Sequence, residues 1–435
     1  QAQSGQPPYG TWTLEQGGQK LTVRLNPFFA DAMGVAPGQA VGTGASTALP
    51  GTGQNPYGVR SIDQLQFINW NYNAKSTVRR MDTGNMGRFP YLSYGTNGKL
   101  TTRAFYWDQT HDLEGEEGVT YTPIAEVYDA TTGNQGSLFG WFGGTYDGND
   151  YLIADVNIKG QSESSCVGLF GAVFDATLKN IVLYSADGTA TVEGANSGQS
   201  RWYAIGGLAG LAGSSTGSSV VNCTVAGYTI KDTHQSTSAG GWGGTGLGGL
   251  IGVSDMSLEG CTAVTKIELN SKDNDNVRVG GLVGSCQGSI TNCYAGGSIA
   301  VASTSTTPGN RGIYIGGIVG GIYMKPQKVG GGSATVGQSG QQLQNTLNNC
   351  YTYVELPDAS GNRFIKGLYA VGGSGDLTTN PNDGNADHGW TNYNNNYYLE
   401  SVVLSNNGGT IGVSRNDLAQ VTPLTYAQKG GTGLN

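Results

Sequence analysis

The sequence predicts an all-β fold, a right-handed parallel β-helix (a β-solenoid) whose coils stack along one axis. The first observation is a Gly-rich motif that recurs as GGLAG at 206–210, GGLIG at 248–252, GGLVG at 280–284 and GGIVG at 316–320, with degenerate copies at 167–171 and 371–375. The aligned glycines are Gly168, Gly207, Gly249, Gly281, Gly317 and Gly373. A unit that recurs every roughly 20–50 residues indicates a solenoid, a propeller or another repeat architecture.

A second motif follows each Gly-rich motif and is centred on asparagine. Its aligned central residues are Asn180, Asn222, Gly260, Asn292, Asn349 and Asn396, and the next residue is cysteine at Cys223, Cys261, Cys293 and Cys350. Asparagine tolerates the left-handed backbone conformation and can hydrogen-bond its own backbone, as a corner requires. In coils about 4.8 Å apart, these asparagines would form a ladder along one corner.

The third observation is the alternation of apolar residues before the double glycine, as in Val277 and Val279 or Ile313 and Ile315. A period of two predicts strands with one buried face. The aliphatic residue after the double glycine is then expected to point inward, and these residues are Leu208, Leu250, Leu282 and Ile318. The glycines allow positive φ and a close backbone approach at a corner.

A β-propeller is the competing architecture for such a repeat. Its blades need four strands in about 40–50 residues. Only two or three strand-like runs are recognisable between the Gly-rich turns, so the sequence favours the solenoid. We expect right-handed coiling, because parallel crossover connections are right-handed in about 98% of cases.

The GGLVG, GGLIG and GGLAG copies, with their NCY or NC partners, resemble the GLUG-motif repeat family. That family occurs in surface proteins of Bacteroidetes, in other bacterial adhesin-like proteins and beside the catalytic domain of metallopeptidases that cleave immunoglobulin A. The resemblance covers about residues 130–400 and includes the run FGGTYDGNDYLIADVNIKG at 142–160. It implies a bacterial cell-surface setting in which adhesion is the usual function. The chain has no HExxH motif, so the peptidase chemistry of some relatives is not expected.

The sequence divides into an N-terminal extension, 1–55, and a solenoid, 56–435. The extension contains a predicted hairpin at 11–25, a short helix at 26–34 and an irregular linker. In the solenoid, Ser61 and Gln64 have capping-box spacing and predict a helix at 61–73 that covers the first coil. Two long loop excursions, 324–345 and 376–394, interrupt the later repeats, and such loops often carry binding functions.

Composition restricts the classes of partner. Glycine accounts for 74 of 435 residues, charged residues make up only 12%, and the net charge is −8. A nucleic-acid partner is not expected, because phosphate binding relies on clustered Lys and Arg. The sequence also lacks an apolar run long enough for a membrane helix. The resemblance to the GLUG-motif family implies a bacterial surface setting, so we expect an extracellular or outer-membrane location on a bacterium, with any lipid anchor outside this chain.

The cysteines and histidines favour structural roles. The four cysteines at the repeated position are expected to be reduced and stacked inside the coil. Cys286 and Cys293 are the nearest pair for a disulfide. We expect surface or turn roles for His111, His234 and His388, because none has the context of a nucleophile.

Candidate ligand sites are sparse. Asp383, Asn385 and Asp387 have the alternating spacing of a calcium loop, but His388 stands where glycine is required, so a solvated turn is the favoured interpretation. KDNDN at 272–276 receives the same interpretation, and no cofactor is predicted. The aromatic residues with sugar-stacking potential are Trp202, Trp242, Trp390, Tyr393, Tyr397 and Tyr398.

The leading hypothesis from the sequence is a non-catalytic, secreted or surface-tethered adhesin-like protein that recognises an extracellular glycan or protein. One alternative is a carbohydrate-active β-helix enzyme, a glycosidase or lyase. It would need acidic residues from neighbouring coils at one depth, whereas the acidic residues fall mainly in loops. A second alternative is a structural stalk that presents another domain.

Overall fold

Four β-sheets, built mainly from parallel strands, form the body of the protein, and each complete coil adds one strand to each sheet. The computed structural model describes residues 10–16, 19–25, 56–70, 92–94, 100–102, 106–125, 127–129, 137–139, 142–160, 164–194, 203–213, 218–233, 244–270, 276–302, 312–322, 327–329, 335–336, 346–358, 365–372, 392–399 and 421–424. The strands pair with the equivalent strands of the next coil, so the chain is a parallel β-helix, as predicted.

Sheets 1 and 2 lie on the two sides of the Gly-rich corner. In spatial order, sheet 1 contains β34 (Thr335–Val336), β33 (Gln327–Val329), β10 (Ser137–Phe139), β9 (Val127–Asp129), β14 (Ser164–Val167), β19 (Tyr203–Gly206), β23 (Gly244–Gly248), β27 (Asn276–Gly280), β31 (Ile313–Gly316) and β37 (Ile365–Tyr369). Sheet 2 contains β15 (Phe170–Phe174), β20 (Ala209–Gly213), β24 (Ile251–Ser254), β28 (Val283–Cys286) and β32 (Val319–Gly321).

Sheets 3 and 4 lie on the two sides of the Asn corner. Sheet 3 contains β3 (Tyr57–Val59), β6 (Tyr106–Gln109), β11 (Thr145–Asp147), β16 (Thr177–Lys179), β21 (Ser219–Val221), β25 (Ser257–Glu259), β29 (Ser289–Thr291), β35 (Thr346–Asn348) and β38 (Asn392–Asn394). The main path of sheet 4 contains β7 (Leu113–Glu114), β12 (Leu152–Ala154), β17 (Val182–Tyr184), β22 (Thr224–Asp232), β26 (Thr262–Leu269), β30 (Tyr294–Val301), β36 (Tyr351–Glu355), β39 (Asn396–Leu399) and β40 (Val421–Leu424).

Three short strands extend sheet 4 in the early coils, and two hairpins lie outside the four sheets. The short strands are β8 (Thr120–Tyr121), β13 (Asn157–Lys159) and β18 (Thr191–Glu193). One hairpin pairs β1 (Gly10–Gln16) with β2 (Gln19–Leu25), as the sequence predicts, and the other pairs β4 (Leu92–Tyr94) with β5 (Leu100–Thr102). The predicted helix at 26–34 and the linker lie outside the described residues.

The strand count per coil differs from the sequence prediction. A complete coil has four strands, one in each sheet, rather than two or three. Several strands are short, such as Ser289–Thr291 with one inward residue, so they give little alternation from which to count the strands of a coil. The solenoid prediction nevertheless holds because these strands pair between coils and not within a blade.

The Gly-rich corner requires close backbone approach and not positive φ. None of the double glycines has a positive φ, contrary to the expectation that they would use one. A Cβ on Gly206 would lie 2.6 Å from the Ile251 Cα, and one on Gly252 would lie 2.5 Å from the Ile205 N. Sheets 1 and 2 therefore pack with almost no side-chain layer between them, and only glycine fits at these positions.

The Asn corner has the predicted left-handed backbone. The φ angles are 53° at Asn180, 52° at Asn222, 56° at Asn292, 54° at Asn349 and 53° at Asn395, and Gly260 has a φ of 63°. Side-chain amides bond along the corner, from Asn222 Nδ2 to Asn180 Oδ1 at 3.0 Å and from Asn349 Nδ2 to Asn292 Oδ1 at 3.2 Å. The predicted ladder exists, with Gly260 as the gap between its two segments.

The structure corrects the alignment of three repeat residues. Asn348 pairs with Asn394, so the corner residue of the last coil is Asn395, and Asn396 occupies the cysteine position instead. Gly316 pairs with Tyr369, which places Ala370 opposite Gly317; Gly373 lies outside the described residues. In the first copy, Val167 pairs with Ile205 and Phe170 with Ala209. Gly168 therefore lies opposite Gly206, and this corner is one residue shorter. The errors share a cause, since degenerate copies in a Gly- and Asn-rich chain align equally well one to three residues away.

The helix at the N-terminal end of the solenoid covers the first coil. Helix α1 (Ile62–Trp70) follows β3, and Leu65 and Ile68 on it are fully buried in the core. The Gln64 N donates to Ser61 Oγ at 3.2 Å, and the Arg60 N donates to Gln64 Oε1 at 2.7 Å. These two bonds form a capping box. Its one departure from the usual pattern is that Gln64 Oε1 accepts from the Arg60 N instead of the Ser61 N.

The core consists of inward columns, one residue per coil. The predicted inward column is confirmed, because its four residues are fully buried in one hydrophobic cluster. These residues are Leu208, Leu250, Leu282 and Ile318. The early coils are filled by aromatic residues instead: the Tyr57 and Trp107 rings lie 4.8 Å apart, and the Phe142 and Phe170 rings 5.0 Å apart.

We predict that Leu282→Ala lowers the free energy of unfolding by about 2–5 kcal/mol, because the side chain is fully buried and the stacked coils leave a cavity behind. Urea unfolding followed by circular dichroism measures this change. Ser257→Ala, on an exposed outward position, is the control and should change it by no more than about 0.5 kcal/mol. A cost below about 1 kcal/mol for Leu282→Ala would contradict the inward column.

Gly260→Asn should join the two segments of the corner ladder. Gly260 already has the backbone angle that asparagine adopts elsewhere in the column, and the nearest atoms to an added Cβ are the Asn222 Cα and N at 3.9 Å. We expect a gain of about 0.5–1.5 kcal/mol from the added hydrogen bonds. Gly260→Ala, which makes no such bond, should instead cost roughly 1–2 kcal/mol through left-handed strain. Equal effects of the two substitutions, measured by urea unfolding, would argue against the ladder as a source of stability.

Candidate ligand-binding face

Two outward columns run along sheet 4 beside the Asn corner and contain no charged residue from β12 onward; in the coil before, β7 places Glu114 opposite Ala154. In register, the first column contains Leu152, Val182, Thr224, Thr262, Tyr294, Tyr351 and Tyr397. The second contains Ala154, Tyr184, Ala226, Val264, Gly296 and Tyr353. The residues between them, such as Val225 and Ala295, are fully buried, so these columns form the outer surface of the sheet.

Charged residues border this surface on the far side of sheet 4. Lys159 Nζ lies 2.8 Å from Glu193 Oε1, and Lys266 Nζ lies 2.6 Å from Glu268 Oε1. Both pairs are partly exposed and contribute little to stability. Because of these ion pairs, the uncharged surface of sheet 4 is limited to the two columns nearest the Asn corner.

Tyrosines concentrate in the last three coils of these columns. Tyr294, Tyr351 and Tyr397 pair in register, and Tyr294 is 41% exposed. The rings of Tyr351 and Tyr353 have centroids 6.0 Å apart. Tyr353 extends over Gly296 of the preceding coil, where any Cβ would collide with its ring. We call these four residues, Tyr294, Tyr351, Tyr353 and Tyr397, the tyrosine face.

Two tyrosines of the face, Tyr351 and Tyr353, have hydroxyl pKa values above the ordinary tyrosine value of 10.0. Burial, followed by the neighbouring Tyr353, raises the pKa of Tyr351, and burial, followed by Tyr294, raises the pKa of Tyr353. The Tyr351 hydroxyl oxygen is covered by its neighbours and has no hydrogen-bond partner within the protein. Because neighbouring atoms cover this oxygen, Tyr351 offers a bound molecule its ring and not its hydroxyl.

The amides of the Asn corner flank the tyrosine face. Asn292, Asn349 and Asn395 are exposed and each stands two residues before a tyrosine of the face. The Asn395 Nδ2 donates to Asn349 Oδ1 at 3.1 Å, which continues the contact between Asn349 and Asn292. Each amide group has two N–H donors, so one such bond leaves donor capacity beside the rings.

A pair of carboxylates in neighbouring coils is the arrangement nearest to an acid–base site. Asp108 pairs with Asp147 in register on sheet 3. Burial, and then the charge of Asp147, raise the pKa of Asp108, although Lys179 opposes them. Burial alone would raise the pKa of Asp147, but hydrogen bonds from Lys179, Asn180 and the Asn149 backbone outweigh it and lower the pKa.

The contacts of Asp147 explain this pair as a brace for the first Asn corner. Its oxygens accept from Lys179 Nζ at 2.6 Å, from Asn180 Nδ2 at 2.9 Å and from the Asn149 N at 3.0 Å. Asn149 has a φ of 49°, so its hydrogen bond to Asp147 fixes a tight turn. A carboxylate held by three partners is poorly placed to act as a nucleophile or base.

The cysteines at the repeated position are buried and stacked, as predicted. No disulfide joins any of the six cysteines, which all lie among the described residues, and this includes Cys286 and Cys293, the pair that the sequence placed nearest. At the repeated position the thiols contact neighbouring coils, with the Cys261 N donating to Cys293 Sγ at 3.3 Å. Asn396 ends this column: its Oδ1 accepts from the Cys350 N at 3.0 Å, and its Nδ2 donates to the Leu347 O at 2.7 Å.

Most other candidate residues from the sequence lie outside the described residues. These are His234, His388, Trp202, Trp242, Trp390, the acidic residues from Asp383 to Asp387, and most of both loop excursions. His111 is exposed in a turn and contacts Thr110 Oγ1 at 3.0 Å. Tyr398 packs against the core, whereas Tyr397 belongs to the tyrosine face. Among the described residues, no three His, Cys, Asp or Glu side chains lie close enough to hold a metal ion.

The candidate residues predicted from the sequence did not include Tyr294, Tyr351 or Tyr353. The signal was present, because the last three Asn motifs read NCY, NCY and NNY, whereas the copies at Asn222 and Gly260 have threonine two residues on. Only the pairing of strands between coils reveals that Tyr294, Tyr351 and Tyr397 lie in adjacent positions and face outward.

No family model matches this chain, and no curated protein matches it in sequence. Among solved structures, it is similar to the crystal structure of "a putative immunoglobulin A1 protease from Bacteroides ovatus", with a TM-score of 0.46 and 16% identity over 81% of this chain and 77% of that chain. A similarity of this size supports no functional inference. The resemblance to the GLUG-motif repeat family therefore stays a prediction. None of the helices in the described part of the chain has the length and apolar character to cross a lipid bilayer.

We predict that the buried thiols make the protein lose stability in alkaline solution. Burial raises the pKa of Cys286 and of Cys350 from an ordinary value of 9.0 to about 12. The folded state keeps these protons at a pH where the unfolded state has lost them, so stability is unaffected below pH ~9 and falls as the pH rises toward 12. The free energy of unfolding at pH 8.5 and 9.5 measures the slope, and a Cys286→Ala/Cys350→Ala variant should flatten it. An unchanged slope would contradict the prediction.

Proposed function

We propose that the protein is a non-catalytic, adhesin-like β-helix of the bacterial cell surface or the extracellular space, which recognises an extracellular glycan or protein. The location and the absence of catalysis are part of this proposal. The observation that carries it is the uncharged part of the outer surface of sheet 4 beside the Asn corner, in which tyrosine rings and exposed amides repeat on a rigid scaffold.

The scaffold suits recognition by an extended surface. Parallel strands joined in register through the coils hold outward side chains at a fixed spacing of about 4.8 Å. Rigid elements position binding residues more exactly than loops do, which lowers the entropic cost of binding. The two loop excursions, 324–345 and 376–394, stay candidates for a second contact region.

A carbohydrate-active enzyme is the second candidate, and the Asp108–Asp147 pair is the observation in its favour. Two carboxylates whose pKa values are moved apart by their surroundings can act as acid and base. Against it, the Asp147 oxygens are occupied by the Lys179, Asn180 and Asn149 contacts of the corner. We therefore favour a structural role for the pair.

One experiment separates these candidates. The purified full chain is screened against immobilised glycans and extracellular-matrix proteins, and the same glycans are assayed for reducing-end release. We expect saturable binding to at least one target without product release. Turnover that Asp108→Asn abolishes would contradict the proposal and support the enzyme, while absence of binding to every target would favour a structural stalk.

A further inference from the structure

We propose that the tyrosine face and the adjoining Asn corner bind a neutral polysaccharide whose chain runs parallel to the solenoid axis. This inference rests on the proposed function and names the ligand class and its site. The site comprises the tyrosine face, as defined above, and the amides of Asn292, Asn349 and Asn395.

The first argument is the arrangement of the rings. Tyr294, Tyr351 and Tyr397 come from consecutive coils in register, so the Cα atoms that carry their rings advance along the axis by about one coil spacing each. Sugar rings in an extended chain also advance by a similar step along their axis. Their apolar C–H faces can pack on aromatic rings, which bind through a broad apolar face and a polar edge.

The second argument is the hydrogen-bonding capacity next to the rings. The exposed amides of Asn292 and Asn349 each stand two residues before a tyrosine of the face, and each keeps donor capacity. A dry apolar protein surface would leave these polar groups unsatisfied, which costs free energy. A polysaccharide presents hydroxyl groups at every residue, which can both donate to and accept from them.

The third argument is charge. The two outward columns contain no charged residue from Leu152 to Tyr397, and the nearest ion pairs on the sheet lie beyond them. The whole chain has a net charge of −8. An acidic polysaccharide would find no cation on this face and would be repelled by the protein as a whole, so the ligand is expected to be uncharged.

The test uses the full chain and affinity gel electrophoresis in gels that contain one polysaccharide each. The neutral probes are galactomannan, xyloglucan, mixed-linkage β-glucan and xylan, and the acidic probes are alginate and heparin. We expect at least one neutral probe to retard the protein and neither acidic probe to do so. For that neutral probe, Tyr351→Ala and Tyr294→Ala should each raise the dissociation constant at least tenfold.

Two control variants separate a lost contact from a lost fold. Tyr106→Ala removes a tyrosine of similar exposure, 38%, from sheet 3, and should leave binding unchanged. Tyr351→Phe keeps the ring and removes the hydroxyl, so it should weaken binding less than Tyr351→Ala. The unfolding midpoint of every variant is measured alongside.

The outcomes are distinguishable. Retardation by no neutral probe, or equal weakening by Tyr106→Ala and Tyr351→Ala, would overturn the inference. If the glycan and protein screen finds only a protein target, the inference fails while the proposed function stands. Cleavage of a retarding probe would instead defeat the proposed function.

Discussion

Every column of side chains in this protein depends on one constraint, the in-register stacking of successive coils. The strands of sheets 1, 3 and 4 pair with equivalent strands on both sides through most of the solenoid. Residues at the same position of the sequence repeat therefore stack in a column along the solenoid axis. The corner glycines maintain this register because their backbones contact each other between sheets 1 and 2, where a Cβ would push the strands apart. The left-handed asparagines maintain it at the other corner through amide contacts between coils.

The same stacking links the core to the surface. Inside, cysteines and aliphatic residues stack in columns that exclude water, and Asn396 ends the thiol column by satisfying the Cys350 N and the Leu347 O. The residue that follows each cysteine of the thiol column lies on the opposite, outer face of the sheet. A substitution from Thr to Tyr at that position therefore changes the surface without disturbing the core, which is how the last three coils acquire the tyrosine face.

Much of the fold could be predicted from sequence, and the failures have physical causes. The intact GG copies predicted the inward column at Leu282 because four of them agree with one another. The ends failed because a single degenerate copy, such as NNNYY, has no internal reference for its register. The face could not be predicted because outward strand positions carry no burial signal: Tyr294 becomes part of the tyrosine face only through Tyr351 and Tyr353 in the next coil.

The central claim, in-register stacking, is tested most directly by cross-linking across neighbouring coils. Ser219 pairs with Ser257, so cysteines at both positions would lie about 4.8 Å apart, within the range for a disulfide. Under mild copper–phenanthroline oxidation, mass spectrometry should find this disulfide in the Ser219→Cys/Ser257→Cys variant. It should be absent in Ser219→Cys/Glu259→Cys, where the second site is two residues further along the strand at about 8 Å. Equal cross-linking of both pairs, or preference for the second, would contradict the register on which this account rests.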